Sequence, residues 1–388
     1  MQQKTTLSFD FIVAGVGSMG SAACYYLAKQ GYSVLGLEQF TITHTHGSHS
    51  GQTRIIRKAY FEHPDYIPLL QRAYENWKSL ELETGEQVYY STGLVYAGPK
   101  GDSMLSSIKE AAALYHINLE QPDAALAKEK FSEFNLPDDY ELLFEPDAGF
   151  LLAEKAIKLY VQQAQLNGAT IHTGESVLSW KKEGDGVTVT TNINMYHCKK
   201  LIITAGAWSA KLLPGIAKNL TITRQVLAWM NPKKPEAFAL GNFPCWLIAN
   251  QQNNGAYYGF PMVPSTIITG PAGMKMALHY PGAITDPDDV DRNIIADDVD
   301  HIVHFLHRYL PNSCESVADT STCLYSNSPD ENFIIDNLPG MEDAVCVAWG
   351  FSGHGFKFVS VVGEILAELA ISGSSKLPIG FLNARRFG

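Results

Sequence analysis

Cysteine is scarce and scattered in this chain. Its six cysteines, Cys24, Cys198, Cys245, Cys314, Cys323 and Cys346, form no CxxC pair. Neither a zinc knuckle nor a dense disulfide framework is therefore expected. In a reducing compartment such residues are free, mostly buried thiols. Long apolar runs are also missing. No stretch approaches the ~18 uninterrupted apolar residues of a membrane span, so no membrane partner is expected. The opening Met1 to Ser8 lacks a basic segment followed by an apolar one, which predicts no secretory signal and a cytoplasmic protein. Positive charge is the third shortage. Lys and Arg number 29 against 40 Asp and Glu, a net charge of −11. An acidic surface disfavours a phosphate backbone, so nucleic acid is not an expected partner. One local basic pocket for a small anion stays possible. What is present is a 388-residue chain, 46% hydrophobic and 11% aromatic, the profile of a soluble globular protein of two or three domain-sized units. The 32 glycines follow no triplet period, which excludes a collagen-like chain.

The first chemical signal is at the start. Phe9 to Ala14 predicts a short buried strand. It runs into Gly15-Val16-Gly17-Ser18-Met19-Gly20, a G-x-G-x-x-G. Ser18 to Gln30 predicts a helix closed by Gly31, and Tyr32 to Leu37 a second strand ending at Glu38. The first glycine permits a tight turn, the second a close approach to a pyrophosphate, the third close helix–strand packing. The helix N-terminus offers free N–H groups to that anion. Glu38, 18 residues after Gly20, is placed to accept from a ribose hydroxyl. A bare G-x-G-x-x-G is weak. With its strands, helix and acid it predicts dinucleotide binding rather than a plain turn.

Along the rest of the chain, Thr41 to Tyr60 predicts a loop rich in Gly, Ser, Thr and His, ending in Arg54 and Arg57. Helices are expected at Asp65–Leu80, Met104–His116 and Ala153–Asn167, and a turn at Asp147–Leu151. Strands are expected at Gly93–Tyr96, Thr170–Thr173, Val187–Thr191 and Leu201–Thr204. The last runs into Ala205, Gly206, Ala207 and Trp208. From Thr221 the texture becomes antiparallel, with strands at Val226–Met230, Cys245–Ala249, Gly255–Phe260 and Lys275–Leu278. Helices follow at Pro287–Asp291 and Asp297–Tyr309. Strands Cys323–Tyr325, Phe333–Asp336 and Val345–Ala348 then lead to a Gly-rich entry at Gly353 and Gly355 and a helix Phe356–Ala370. A late Gly-rich helix start, far from the fingerprint, suits a second contact with one extended dinucleotide and favours FAD over NAD. Two histidine sets, His44/His46/His49 and His301/His304/His307, lack a completing Cys or Asp set, and no metal is expected.

The segments GVGSMGSAACYYLAKQG, GSHSGQTRIIRKAY, TAGAW, AYYGFP, CLYSNSPDENFIID and GFSGHGFKF together resemble the monomeric sarcosine oxidase and N-methyltryptophan oxidase family of flavin-dependent amine oxidases, over nearly the whole chain. The resemblance implies an α/β (α+β) fold: a Rossmann-like FAD-binding domain and a substrate domain on a large antiparallel sheet. Residues 1–85, 151–224 and 321–388 are expected in the first, residues 86–150 and 225–320 in the second. Carried over residue by residue, it implies covalent flavin at Cys323, which spacing alone would read as a buried structural thiol. It implies substrate carboxylate binding by Arg57 and Lys357, Arg54 beside the flavin, Lys275 promoting reaction with oxygen, and Tyr258 and His279 lining the pocket. Flavin contacts are expected from Gly15, Gly17, Ser18, Met19, Gly20, Glu38, Gln39, Ser48, His49, Ser50, Thr53, Arg54, Ala205, Gly206, Trp208, Cys323, Gly353, Gly355, Phe356 and Lys357.

The activity so implied is oxidation of a secondary amino acid, N-methyl or cyclic, to an imine that water hydrolyses. Oxygen would be the acceptor, hydrogen peroxide a product and a monomer the working form. A dehydrogenase with another electron acceptor and an inactive flavin-binding protein are the alternatives. Two departures stand out. Ser50 and Gln52 replace the second His and the Asp of the family's His-His-Gly-Asp, and the connection between Pro261 and Lys275 is long.

Overall fold

The computed structural model describes residues 7–250, 255–280 and 282–387. Three sheets carry the fold. In the first, strand Leu7–Ala14 lies parallel between Val34–Glu38 and Met195–Ile203. Thr170–Thr173 extends one side in parallel. Val345–Trp349, parallel, and Ile334–Asn337, antiparallel, extend the other. The hairpin Val177–Glu183/Gly186–Thr191 joins along Met195–Ile203. From Phe11 onward the central strand is apolar on both faces, so it is buried from both sides. Phe11 and Val13 enter one core, Ile12 and Ala14 the other, as the two-residue period requires.

Helices Ser18–Lys29, Ala153–Leu166 and Val359–Ser372 cover the first of these faces. The first and last of them cross closely: a Cβ on Gly363 would stand 2.4 Å from that of Ala22. Helix Tyr66–Thr84 packs outside them and ends at Gly85 in the left-handed region, φ 72°, a conformation glycine adopts at little cost.

The second sheet runs Ala283–Ile284, Thr221–Asn231, Met274–His279, Gly255–Gly259, Cys245–Asn250, Leu94–Pro99, Tyr140–Glu145, with Ser316–Asn327 along the other side of Thr221–Asn231. All its pairings are antiparallel except Cys245–Asn250 with Leu94–Pro99. Helix Ala296–Tyr309 packs on it through Ile302, Phe305 and Leu306, against Trp246 and Tyr257.

The third sheet is small, and it corrects two expectations. Thr53–Ile56, expected within a loop, and Gly149–Leu152, expected as a turn, are strands paired with each other. Tyr89–Tyr90 pairs on the far side of Gly149–Leu152. A Cβ on Gly149 would lie 1.9 Å from the Tyr90 carbonyl oxygen. Here glycine marks close strand approach, not a turn. A third correction concerns Pro287–Asp291, which is a turn and not a helix. Asp286 accepts from the Asp288 N–H through its side chain and from the Asp289 N–H through its carbonyl, the local competition by which Asp displaces a helix.

Candidate active site

One cavity of ≈ 260 Å³ is lined from all three sheets. At its first end Gly15, Gly17, Ser18, Met19, Glu38, Gln39, Ser48, His49, Ala205, Gly206 and Trp208 face the space. The fingerprint glycines have separable reasons. Gly15 has φ 95°, and a Cβ there would lie 2.7 Å from the Thr204 carbonyl oxygen. A Cβ on Gly20 would lie 1.9 Å from the Gly15 oxygen. Gly20 is thus a packing residue outside the lining, whereas Gly17 is open to the cavity, its nearest foreign atom being His49 Nδ1 at 3.9 Å. Helix Ser18–Lys29 starts at Gly17 with no side-chain cap and no acid in its first turn, which leaves its N-terminal donors directed to an anion. Glu38 is buried, and its oxygens accept from the Val16 and Phe40 N–H groups at 3.0 Å. Burial raises its pKa against those bonds. His44 Nε2 stands 3.6 Å from it, but burial lowers the His44 pKa to about 4, so this is a neutral contact at pH 7.

The other end is built around two buried cations. Arg57 follows strand Thr53–Ile56. Its Nη1 donates to the Ala59 carbonyl, and its Nη2 donates to both Glu62 oxygens at 2.7 and 2.8 Å. The guanidinium also lies 4.3 and 4.2 Å from the Tyr60 and Phe61 ring centres. Lys357 Nζ donates to the His354 carbonyl at 2.7 Å and lies 5.2 Å from the Tyr60 ring. Burial, then the Arg57 charge, lower the Lys357 pKa to about 7. Burial alone would raise the Glu62 carboxyl. The charge of Arg57, with His354 and Lys357 behind it, outweighs that and holds it at about 2.

His354 is fixed by both ring nitrogens. Nε2 lies 3.0 Å from the Glu331 carbonyl oxygen and therefore donates, leaving Nδ1 to accept from the Tyr60 hydroxyl. Tyr258, His279, Tyr325, Leu247, Ile55, Phe61 and Phe351 complete this end. Burial lowers the His279 pKa to about 3, and its Nδ1 lies 3.3 Å from the Tyr325 hydroxyl.

Of the expected site residues, those named so far and Arg54, Gly353, Gly355 and Phe356 line the cavity, Gly20 excepted. Ser50, Thr53, Lys275 and Cys323 also lie behind its wall rather than in it. Arg54 donates to the Thr53, Ser48 and Ser50 carbonyls. Lys275 is buried, donates to the Gly51 and Thr53 carbonyls, and has its pKa driven well down by burial and then by Arg54. Cys323 is 1% exposed and packs with Leu227, Trp229, Ala277 and Tyr325. Burial pushes its thiol up, and Arg54 and Lys275 oppose that. Its successors Leu324, Tyr325 and Ser326 face the cavity. The Ser50 side chain makes one long hydrogen bond, Oγ to the Gly47 carbonyl at 3.4 Å. Among the described residues, no three His, Cys, Asp or Glu side chains are grouped to hold a metal ion.

The first end fits a dinucleotide on the structure's own terms. An uncapped helix start, an open glycine and a buried carboxylate converge there. His49 Nε2, buried beside them, has no hydrogen-bond partner among the described residues, a state that normally points to a missing partner. The model of the FAD dependent oxidoreductase family matches residues 10–369. The chain belongs to that family. It is 38% identical over 383 residues to a monomeric sarcosine oxidase of Bacillus sp. strain NS-129, covering 97% of each chain. It is 35% identical to an N-methyl-L-tryptophan oxidase of Citrobacter koseri, covering 98% of this chain and all of that one. Among solved structures, NikD, an amino acid oxidase essential for nikkomycin biosynthesis, superposes with a TM-score of 0.84 at 25% identity, covering 97% of this chain and 98% of that one.

The glycine fingerprint and Glu38 were legible in the sequence. Glu62, Tyr60, Phe61, His354, Tyr325, Leu247 and Glu175, all in or against the cavity, were not singled out. The only available signal was proximity: Glu62 follows Arg57 by five residues. No motif says that the two side chains meet.

Proposed function

We propose that this protein is an FAD-dependent oxidase of secondary amino acids, N-methyl or cyclic, with oxygen as acceptor and hydrogen peroxide as a product. The observation that carries this reading is the buried Arg57/Lys357 pair at the apolar end of a cavity whose other end suits a dinucleotide. The family membership and the sarcosine and N-methyltryptophan oxidases among its relatives support it. FAD, when bound, supplies the two-electron oxidation of a C–N bond to an imine. Gly15, Gly17, Ser18, Met19, Glu38, Ala205, Gly206 and Phe356 would hold it, and Cys323 is the candidate for a covalent link.

Arg57 binds the substrate carboxylate by its fork and Lys357 adds a point charge. In the structure Glu62 holds the Nη2 end of that guanidinium and the Ala59 carbonyl the Nη1 end, so a substrate carboxylate competes with Glu62 for the cation. The same two cations lower the pKa of a nearby amine and so favour its neutral, reactive form. Tyr258, His279 and Tyr325 enclose the amine end and exclude water. Lys275 is the candidate for stabilising charge that develops on oxygen. Residues 1–85, 151–224 and 321–388 would form the flavin unit, with 86–150 and 225–320 the substrate unit. A cytoplasmic monomer is the form we propose. Buried free thiols and the monomeric sarcosine oxidases support it. Oxygen uptake tests the reading: a secondary amino acid should give catalase-sensitive peroxide and an aldehyde or cyclic imine, and a primary amine without a carboxylate should give neither.

The charged groups at this end carry two predictions. Glu62→Gln should tighten a carboxylate inhibitor by about tenfold, the equivalent of one charged hydrogen bond no longer competing, as read by titration of the flavin spectrum. Inhibitor affinity should also fall as pH rises through about 7, where Lys357 loses its proton. Lys357→Met should flatten that profile and bind weakly throughout.

A further inference from the structure

Strands Gly255–Gly259 and Met274–His279 are antiparallel neighbours, yet residues 260–273 join them. Hairpin connections are usually about 2–5 residues. This one folds back on itself, with the Ile267 and Ile268 N–H groups donating to the Pro264 carbonyl. Met262 is tied by backbone bonds to Phe238 and Leu240, and beyond it the side chain of Gln52, the residue before strand Thr53–Ile56, holds the segment. Gln52 is 5% exposed and has φ 70°, in the left-handed region. Its Nε2 donates to the Thr269 carbonyl at 2.8 Å and the Pro271 carbonyl at 2.9 Å. Its Oε1 accepts from Trp229 Nε1 at 2.8 Å. Two carbonyls and one indole N–H admit only one orientation of the amide, and every valence but one lone pair is used. A carboxylate in its place would face two carbonyls with no proton to give.

The backbone of Gln52 is equally fixed. Its N–H and that of Gly51 donate to Glu154, and its carbonyl accepts from Ala153. The pinned segment places Ile267 and Ile268 against the apolar cluster that contains Leu247, with Ile55, Phe61 and Tyr258 packed on it. Those four line the cavity near Arg57.

We infer that Gln52 is a positioning residue for substrate selection: it locks the 264–273 segment so that Ile267 and Ile268 back an apolar wall, and that wall selects secondary amino acids with an apolar substituent on the α-carbon. The inference rests on the oxidase reading above. The polar demands of the substrate are met by Arg57 and Lys357, and Leu247, Ile55, Phe61 and Tyr258 supply an aliphatic and aromatic patch in the same cavity.

The experiment compares sarcosine, which has no α-substituent, with N-methylleucine in the holoenzyme, Gln52→Glu and Ile268→Ser. In both variants kcat/KM for N-methylleucine should fall by about tenfold, the usual scale for lost apolar contact, mostly in KM. The value for sarcosine should stay within about twofold. Amide hydrogen exchange across 264–273 should speed up in Gln52→Glu. Equal loss for both acids, no loss for either, or unchanged exchange would overturn the inference. Failure of the unsubstituted enzyme to oxidise either acid would instead overturn the oxidase reading.

Discussion

Arg57→Met should lower kcat/KM for a secondary amino acid by two to three orders of magnitude, chiefly by raising KM. The change removes a guanidinium that is buried, lies against Tyr60 and Phe61, and donates through Nη2 to both oxygens of the Glu62 carboxylate. Truncating one side of a buried, hydrogen-bonded charge pair costs about 2–5 kcal/mol, which spans that range. Arg57→Lys should recover little, because a point charge does not replace a planar fork at a bidentate, stacked site. A second effect has to be separated from the first. In Arg57→Met the Glu62 carboxylate stays buried without its partner, so stability should drop as well. Adding Glu62→Gln removes that stranded charge. The double variant should regain thermal stability by scanning calorimetry and still bind a carboxylate as weakly as Arg57→Met does. Recovery of binding in the double variant would show that Arg57 only balances Glu62.

Cys323→Ser should convert flavin that survives acid precipitation into flavin that is released completely. The thiolate, not the thiol, is the nucleophile that could form such a link. Burial works against it, while Arg54 and Lys275 work for it. Flavin fluorescence of the denatured protein band reads the outcome directly. Complete release from the unsubstituted protein would remove the covalent assignment and return Cys323 to the role its packing already explains, a core residue of strand Ser316–Asn327.

The legible parts of this molecule are those whose residue types answer a backbone requirement. Gly15 and Gly20 are needed because a Cβ would strike a carbonyl, so the glycine fingerprint and its flanking strands show in the sequence. The helix Ala296–Tyr309 shows because its apolar positions recur at helical spacing on one face. Strand Gly149–Leu152 was hidden because its pairing is decided by Tyr89–Tyr90 and Thr53–Ile56, not by its own composition. Arg57 and Lys357, which line the cavity, and Lys275 and Cys323, which lie behind its wall, were singled out through resemblance alone, since a lone Arg, Lys or Cys has an ordinary structural use. Glu62 and Gln52 were opaque for another reason. One is defined by the side chain it meets, the other by a long connection that returns to it. Gln52 showed only as a departure, and its contacts become visible once Thr269, Pro271 and Trp229 surround its amide.

The central claim is that the Arg57/Lys357 end presents a carboxylate-bearing secondary amine to the dinucleotide end for oxidation. Anaerobic titration of the purified protein with sarcosine, N-methylleucine, proline and pipecolate, followed by flavin absorbance and then admission of air, tests it most directly. The account predicts bleaching by at least one of these acids, none by the matching amine that lacks a carboxylate, and rapid return of colour in air. Equal bleaching by the amine without a carboxylate, or no bleaching by any acid, would contradict it.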